Sequence, residues 1–128
     1  MRNWETVKAR YLQLDRPRQL GNLASTLRRI RTNLQFRDEP GGQVAFAAIE
    51  ECQHLTEWTV TTLNLQTDES DLTLAEELLE LGRQVSQWKY EWQHFWQDGE
   101  KCEEMATIAE QWSQKMLEQS GLLPSEAR

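Results

Sequence analysis

Residues 71–97, DLTLAEELLELGRQVSQWKYEWQHFWQ, dominate the fold that this sequence predicts. Large apolar side chains recur along the stretch at intervals that alternate between four and three residues. They are Leu74, Leu78, Leu81, Val85, Trp88, Trp92 and Phe95. This spacing places one apolar seam along one side of an α-helix. We therefore expect a continuous helix over residues 71–97, which forms the centre of the structure and packs against the other segments.

The same reasoning divides the rest of the chain into four more helices. They are expected at residues 3–14, 17–36, 43–65 and 100–119. The third of these is the least regular, because its threonines favour helix poorly and leave a strand at 58–65 as the competing interpretation. Short connections favour antiparallel neighbours. The sequence thus predicts an all-α protein, an antiparallel up-down four-helix bundle with a short additional N-terminal helix.

Length and composition are typical of one folded domain, which we expect to cover residues 1–121, followed by a flexible tail at 122–128. Apolar residues make up 38% of the 128 positions, and no apolar run approaches the roughly 20 residues that span a bilayer. The N-terminus lacks the apolar core of a secretory signal, so we expect a cytoplasmic protein. Cys52 and Cys102 each fall on a predicted apolar seam, which favours buried free thiols over a disulfide.

Charge is unevenly distributed along the chain. Residues 1–37 carry nine basic and two acidic side chains, whereas residues 38–128 carry five basic and nineteen acidic ones. The net charge of the whole chain is −7. Four arginines at the basic end are candidate contacts for an anionic partner. They are Arg28, Arg29, Arg31 and Arg37. The acidic remainder would repel phosphate, which argues against nucleic acid. Alternatively, the two parts of the chain neutralise each other.

Both histidines lie in Glu-x-x-His patterns, Glu51-x-x-His54 and Glu91-x-x-His94. Two such motifs on separate helices resemble the ligand pattern of ferritin-like di-iron bundles, and the resemblance implies that these four side chains bind metal. The predicted apolar seams run one residue later, however, which turns each histidine about 100° towards solvent. Ferritin-like sites also take lone glutamates from two further helices, yet residues 16–37 contain no acidic side chain. Surface polar side chains are therefore the preferred interpretation.

Two acidic pairs, Glu77-x-x-Glu80 and Glu100-x-x-Glu103, are similar to the Mg²⁺-binding motifs of all-α nucleoside triphosphate pyrophosphohydrolases. The last position here is Glu, where that family has Asp. Straight helices would also hold the two pairs more than about 20 Å apart. No Ser/His/Asp or Cys/His arrangement can be assembled from the predicted helices. We therefore expect neither a cofactor nor enzymatic activity.

The aromatic end of the opening stretch is the remaining candidate site. Its members are Trp88, Tyr90, Trp92, Phe95 and Trp96. A tryptophan stripe at helical spacing is usually core, but four large rings within nine residues are hard to enclose in a small bundle. An exposed tryptophan would anchor a protein interface, and the same rings could instead line a pocket for a hydrophobic ligand. We favour a non-enzymatic interaction or regulatory module that binds a protein partner or a second copy of itself.

Overall fold

The computed structural model describes residues 3–121, and all regular secondary structure in that range is helical. The helices are α1 (Trp4–Leu12), α2 (Arg16–Phe36), α3 (Glu39–Val60), α4 (Glu69–Tyr90), α5 (Trp92–Gln97) and α6 (Gly99–Ser120). The all-α prediction is therefore confirmed, and the alternative of a strand at 58–65 is wrong. The expected tail at 122–128 lies outside the described residues.

Capping residues begin three helices, and end one of them, close to where the sequence predicts. Asn3 caps α1, Asp15 caps α2 and Asp98 caps α6, each by accepting a hydrogen bond from a backbone N–H of the first turn. Pro17 lies in the first turn of α2, where an N–H would have no helical partner. Gly121 ends α6 with φ of 72°, a left-handed conformation that glycine adopts without strain.

Helix α3 is displaced towards the N-terminus relative to the predicted residues 43–65. Pro40 lies in its first turn, and the Asp38 carboxylate accepts a hydrogen bond from the Gly41 N–H at 2.6 Å. The proline and glycines therefore start the helix instead of separating two helices. At the other end, the hydroxyls of Thr61 and Thr62 each donate to a carbonyl three residues back at 2.7 Å. Such bonds compete with helical ones, and α3 ends at residue 60.

The continuous helix predicted over residues 71–97 is wrong, because Glu91 divides it into α4 and α5. Glu91 has φ of −102° and ψ of 18°, outside the α-helical region. The alternating apolar spacing continues across this residue, so the pattern contains no sign of the break. The change of direction lets Trp92 contact Phe46 of α3, with ring centroids 5.6 Å apart. Tertiary packing of the aromatic rings thus outweighs local helix periodicity.

Helix α2, and not α4, makes the most extensive contacts with other helices. Its largest contact is with α6, and its second largest is with α3. Every side chain of its apolar seam is at most 1% exposed. The seam consists of Leu20, Leu23, Leu27, Ile30 and Leu34. One hydrophobic cluster joins these side chains to buried residues of α3, α4 and α6. The expected central position of residues 71–97 is therefore wrong, and the domain boundary at 1–121 stays a prediction.

Polar contacts between the long helices show the relative direction of each pair. From one contact to the next, the residue number increases on one helix and decreases on the other. Between α2 and α6 they include Ala24–Ser113 (2.8 Å) and Arg31–Glu110 (3.0 Å), and between α3 and α4 they include Glu50–Lys89 (3.3 Å) and Gln53–Ser86 (3.0 Å). Pairs of this kind are typical of antiparallel neighbours. The complete up-down bundle stays a prediction.

Two polar anchors fix the N-terminal part of the chain. The Tyr11 hydroxyl lies 3.0 Å from the Gln19 carbonyl oxygen and 2.7 Å from Thr59 Oγ1. Burial raises the pKa of Tyr11 to about 12, so its hydroxyl keeps its proton at neutral pH. Arg16 donates to the Asp71 carboxylate at 3.0 Å. This hydrogen bond holds the pKa of Asp71 below its usual value. Together the anchors connect α1 and α2 to α3 and α4.

Candidate functional site

The five aromatic residues predicted as a partner surface occupy three different environments. Trp88 lies in the core and is 1% exposed. Tyr90, at the end of α4, is 91% exposed. Trp92, Phe95 and Trp96 are half-buried on α5. A surface available to a partner is therefore formed by the residues after Trp88.

An open groove of about 550 Å³ lies between the start of α3 and the junction of α4 and α5. We call it the aromatic groove, and its lining residues are Gly42, Gln43, Phe46, Lys89, Tyr90, Trp92, Gln93 and Trp96. Trp92 stacks on Trp96, with ring centroids 5.5 Å apart and an angle of 17° between the rings. Sequence reasoning missed Phe46, because it lies off the predicted seam of α3 and only the fold brings it to α5.

Trp96 and its helix are held from three sides. Gly42 lies so close to the indole that a Cβ at this position would be 2.8 Å from a ring carbon. The Arg37 guanidinium lies over the ring, 5.5 Å from its centroid, and donates to the Trp96 carbonyl. The Cys102 thiol donates to the Phe95 carbonyl at 3.0 Å. Because residues of α3, α6 and the α2–α3 connection all contact α5, its rings are presented in a fixed geometry.

The four arginines that were candidates for an anionic partner each have a partner within the chain. Arg28 and Arg31 both contact Glu110, at 3.6 and 3.0 Å. Arg29 contacts Glu51 at 3.4 Å, and Arg37 lies against Trp96 as described above. The three contacts with glutamates match the alternative in which the basic and acidic parts of the chain neutralise each other.

The two Glu-x-x-His patterns meet different surroundings. His54 is half-buried, and its ring centroid lies 4.2 Å from that of Trp4 and 5.4 Å from that of Trp58. The expectation that it faces solvent is therefore wrong in part, since α1 supplies a ring that the pattern on α3 could not reveal. His94 is exposed on α5. Between residues 3 and 121, no group of three or more His, Cys, Asp or Glu side chains is placed to hold a metal ion.

The acidic pairs similar to a pyrophosphohydrolase motif are held apart by the length of α6. Glu77 accepts a hydrogen bond from Gln119 Nε2 at 3.0 Å. Glu100 and Glu103 lie in the first turns of the same helix. Sixteen residues of α-helix separate Glu103 from Gln119, which is a distance of about 24 Å. The two pairs therefore do not converge on one cation.

A second groove, of about 470 Å³, lies between the C-terminal end of α3 and the middle of α4. We call it the α3/α4 groove, and it is lined by Gln53, Thr56, Glu57, Val60, Leu78, Leu79, Gly82, Arg83 and Ser86. Leu79 is 57% exposed at its edge. Sequence reasoning missed this surface, because α4 was interpreted from its core seam alone. Leu72 and Leu79 lie outside that seam, on a second apolar stripe of the same helix.

No protein-family model, curated protein or solved structure matches this chain. Among the described residues, no helix is long and apolar enough to cross a membrane. Any functional conclusion therefore depends on the surfaces of the chain itself, which include a larger groove of about 690 Å³ between the end of α2 and the first half of α6 besides the two described above.

Proposed function

We propose that this protein is a non-enzymatic helical interaction module, which binds a protein partner through the aromatic groove. The observation that carries the proposal is the exposure of Tyr90, 91%, beside the stacked rings of Trp92 and Trp96. Aromatic side chains dominate the energetics of protein interfaces, because they bury a large area at little cost in conformational entropy. A concave surface with a ring on its rim offers such an anchor to a partner.

The proposed framework for this surface is the up-down four-helix bundle, with α1 as the additional helix. Support comes from the antiparallel residue pairs between α2 and α6 and between α3 and α4. Cys52 and Cys102 are free and buried, which fits the reducing cytoplasm that we propose as the location. In this arrangement the helices act as a rigid support, and α5 presents the rings.

Replacing Tyr90 by alanine tests the proposal with little risk to the fold, because the side chain is almost fully exposed. We expect Tyr90→Ala to weaken partner binding about tenfold, the loss typical of an aromatic anchor that a partner covers. Affinity capture from the source cells, quantified by mass spectrometry, measures this loss. Glu104→Ala, an exposed substitution on α6, is the matched control and should leave capture unchanged. Equal capture by wild type and Tyr90→Ala would contradict the proposal.

A further inference from the structure

The aromatic groove and the α3/α4 groove lie along one continuous face of the α3–α4 pair. The α3 residues that border this face recur at intervals of three and four. They are Gln43, Phe46, Glu50, Gln53, Glu57 and Val60. Seventeen residues of helix separate the first from the last, which is about 26 Å. Between the two grooves, Glu50 pairs with Lys89 at 3.3 Å and Gln53 donates to Ser86 at 3.0 Å. The face is long enough to accept a helix of about five turns.

The outer side of α4 carries a second stripe along this face, separate from its core seam. Its members lie at helical spacing and are Leu72, Leu79, Gly82 and Ser86, with the buried Ala75 between the first two. Leu72 and Leu79 are 46% and 57% exposed. A Cβ at Gly82 would meet only Thr56 Cγ2, at an ordinary 3.7 Å, so the packing of the chain itself does not require glycine here. Glycine disfavours helix, and close approach of a partner would explain its presence.

We infer that the partner on this face is a second copy of the chain, with the α4 helices antiparallel across a two-fold axis near Leu79 and Gly82. The inference rests on the proposed protein-binding role of the aromatic groove and identifies its occupant. In a two-fold interface, each contact occurs twice. Leu79 of each copy meets Gly82 of the other, and Leu72 meets Tyr90 at the edge of the aromatic groove. All three exposed apolar side chains of α4 are then covered.

The charges on α4 support this orientation and a self-complementary partner. With the axis near residues 79–82, Arg83 of one copy lies opposite Glu76 and Glu80 of the other. Among the described residues, the ion pair of Arg83 is with the exposed Glu80 at 3.6 Å, and a guanidinium has further N–H donors for a second carboxylate. A parallel arrangement would set like charges against each other. The antiparallel two-fold therefore matches both the sizes and the charges of the outer residues.

Sedimentation equilibrium tests the inference up to about 100 μM chain, where an interface of micromolar Kd is populated. Wild type should have twice the 15.1 kDa mass of the chain. Leu79→Glu should weaken the dimer at least about tenfold, because it places two carboxylates in an apolar contact. Gln114→Glu adds the same charge on exposed α6 and should leave the dimer intact. A monomeric wild type, or a Leu79→Glu variant as dimeric as wild type, would overturn the inference.

A charge exchange tests the orientation itself. Arg83→Glu and Glu76→Arg should each weaken self-association, whereas an equimolar mixture of the two variants should form a mixed dimer. Failure of the mixture to recover wild-type association would overturn the antiparallel arrangement. A monomeric wild type that still captures another protein in a Tyr90-dependent way would overturn self-association and leave the proposed function standing.

Discussion

Replacing Trp88 by alanine is expected to lower the free energy of unfolding by about 3–5 kcal/mol, the range measured for large-to-small aromatic substitutions in cores. Trp88 is 1% exposed and belongs to the hydrophobic cluster that the long helices share. Its loss removes a large apolar area and leaves a cavity that rigid neighbours fill only in part. Urea denaturation followed by far-ultraviolet circular dichroism measures the change without depending on tryptophan emission.

Tyr90→Ala is the matched control for this substitution, because the two residues lie within one turn of α4 and differ chiefly in burial. We expect Tyr90→Ala to change the free energy of unfolding by less than about 0.5 kcal/mol, as is usual for exposed positions. If Trp88→Ala leaves too little folded protein to measure, Trp88→Phe should show a smaller loss in the same direction. A cost below about 1 kcal/mol for Trp88→Ala would contradict the burial of this ring in the core.

Replacing Gly42 by alanine is expected to destabilise the protein by about 0.5–2 kcal/mol, the usual cost of overpacking less the gain of roughly 0.5–1 kcal/mol from the helix preference of alanine. The added Cβ would lie 2.8 and 2.9 Å from two atoms of the Trp96 indole, closer than such contacts occur. The ring must then move away from Gly42, although Arg37 and Trp92 hold it from other sides. Urea unfolding measures the loss of stability, and a changed tryptophan emission spectrum would report the displaced ring.

Gly82→Ala is the same chemical change, but we expect it to raise the free energy of unfolding instead of lowering it. Its added Cβ would meet only Thr56 Cγ2 at 3.7 Å, so the methyl group fits without movement. Because alanine favours helix over glycine, the free energy of unfolding should rise by about 0.5–1 kcal/mol when measured at a dilution that keeps the chain monomeric. Changes of the same sign for both alanine variants would contradict the difference in packing at these two glycines.

Capping chemistry and apolar periodicity predict much of this fold, and their failures have specific causes. Asn3, Pro17 and Asp98 mark the starts of helices that the structure contains. The break at Glu91 was not predictable, since the apolar spacing is the same on both sides of it. The start of α3 was also missed, because the Pro-Gly-Gly segment can either interrupt a helix or begin one, and the Asp38 cap selects the second.

The candidate site was predictable only in part, for a different reason. Tyr90 is off the core seam of α4, so its exposure follows from the helical register alone. Phe46 joins the aromatic groove because two helices meet there, and no pattern within α3 indicates that contact. The exposed Leu79 belongs to an outer stripe of α4, whose residues recur at helical spacing in the sequence. Deciding whether such a stripe is covered requires knowing which helices surround it.

Photo-crosslinking from position 90 tests most directly whether the aromatic groove is a protein-binding surface. A benzophenone amino acid in place of Tyr90 reacts with whatever protein lies against the groove, and mass spectrometry identifies the adduct. We expect a covalent protein adduct from position 90, with a second copy of this chain as the partner. The same probe at Glu104, on the exposed side of α6, should give none. Equal labelling from both positions, or no protein adduct from position 90, would show that the aromatic groove does not bind a protein.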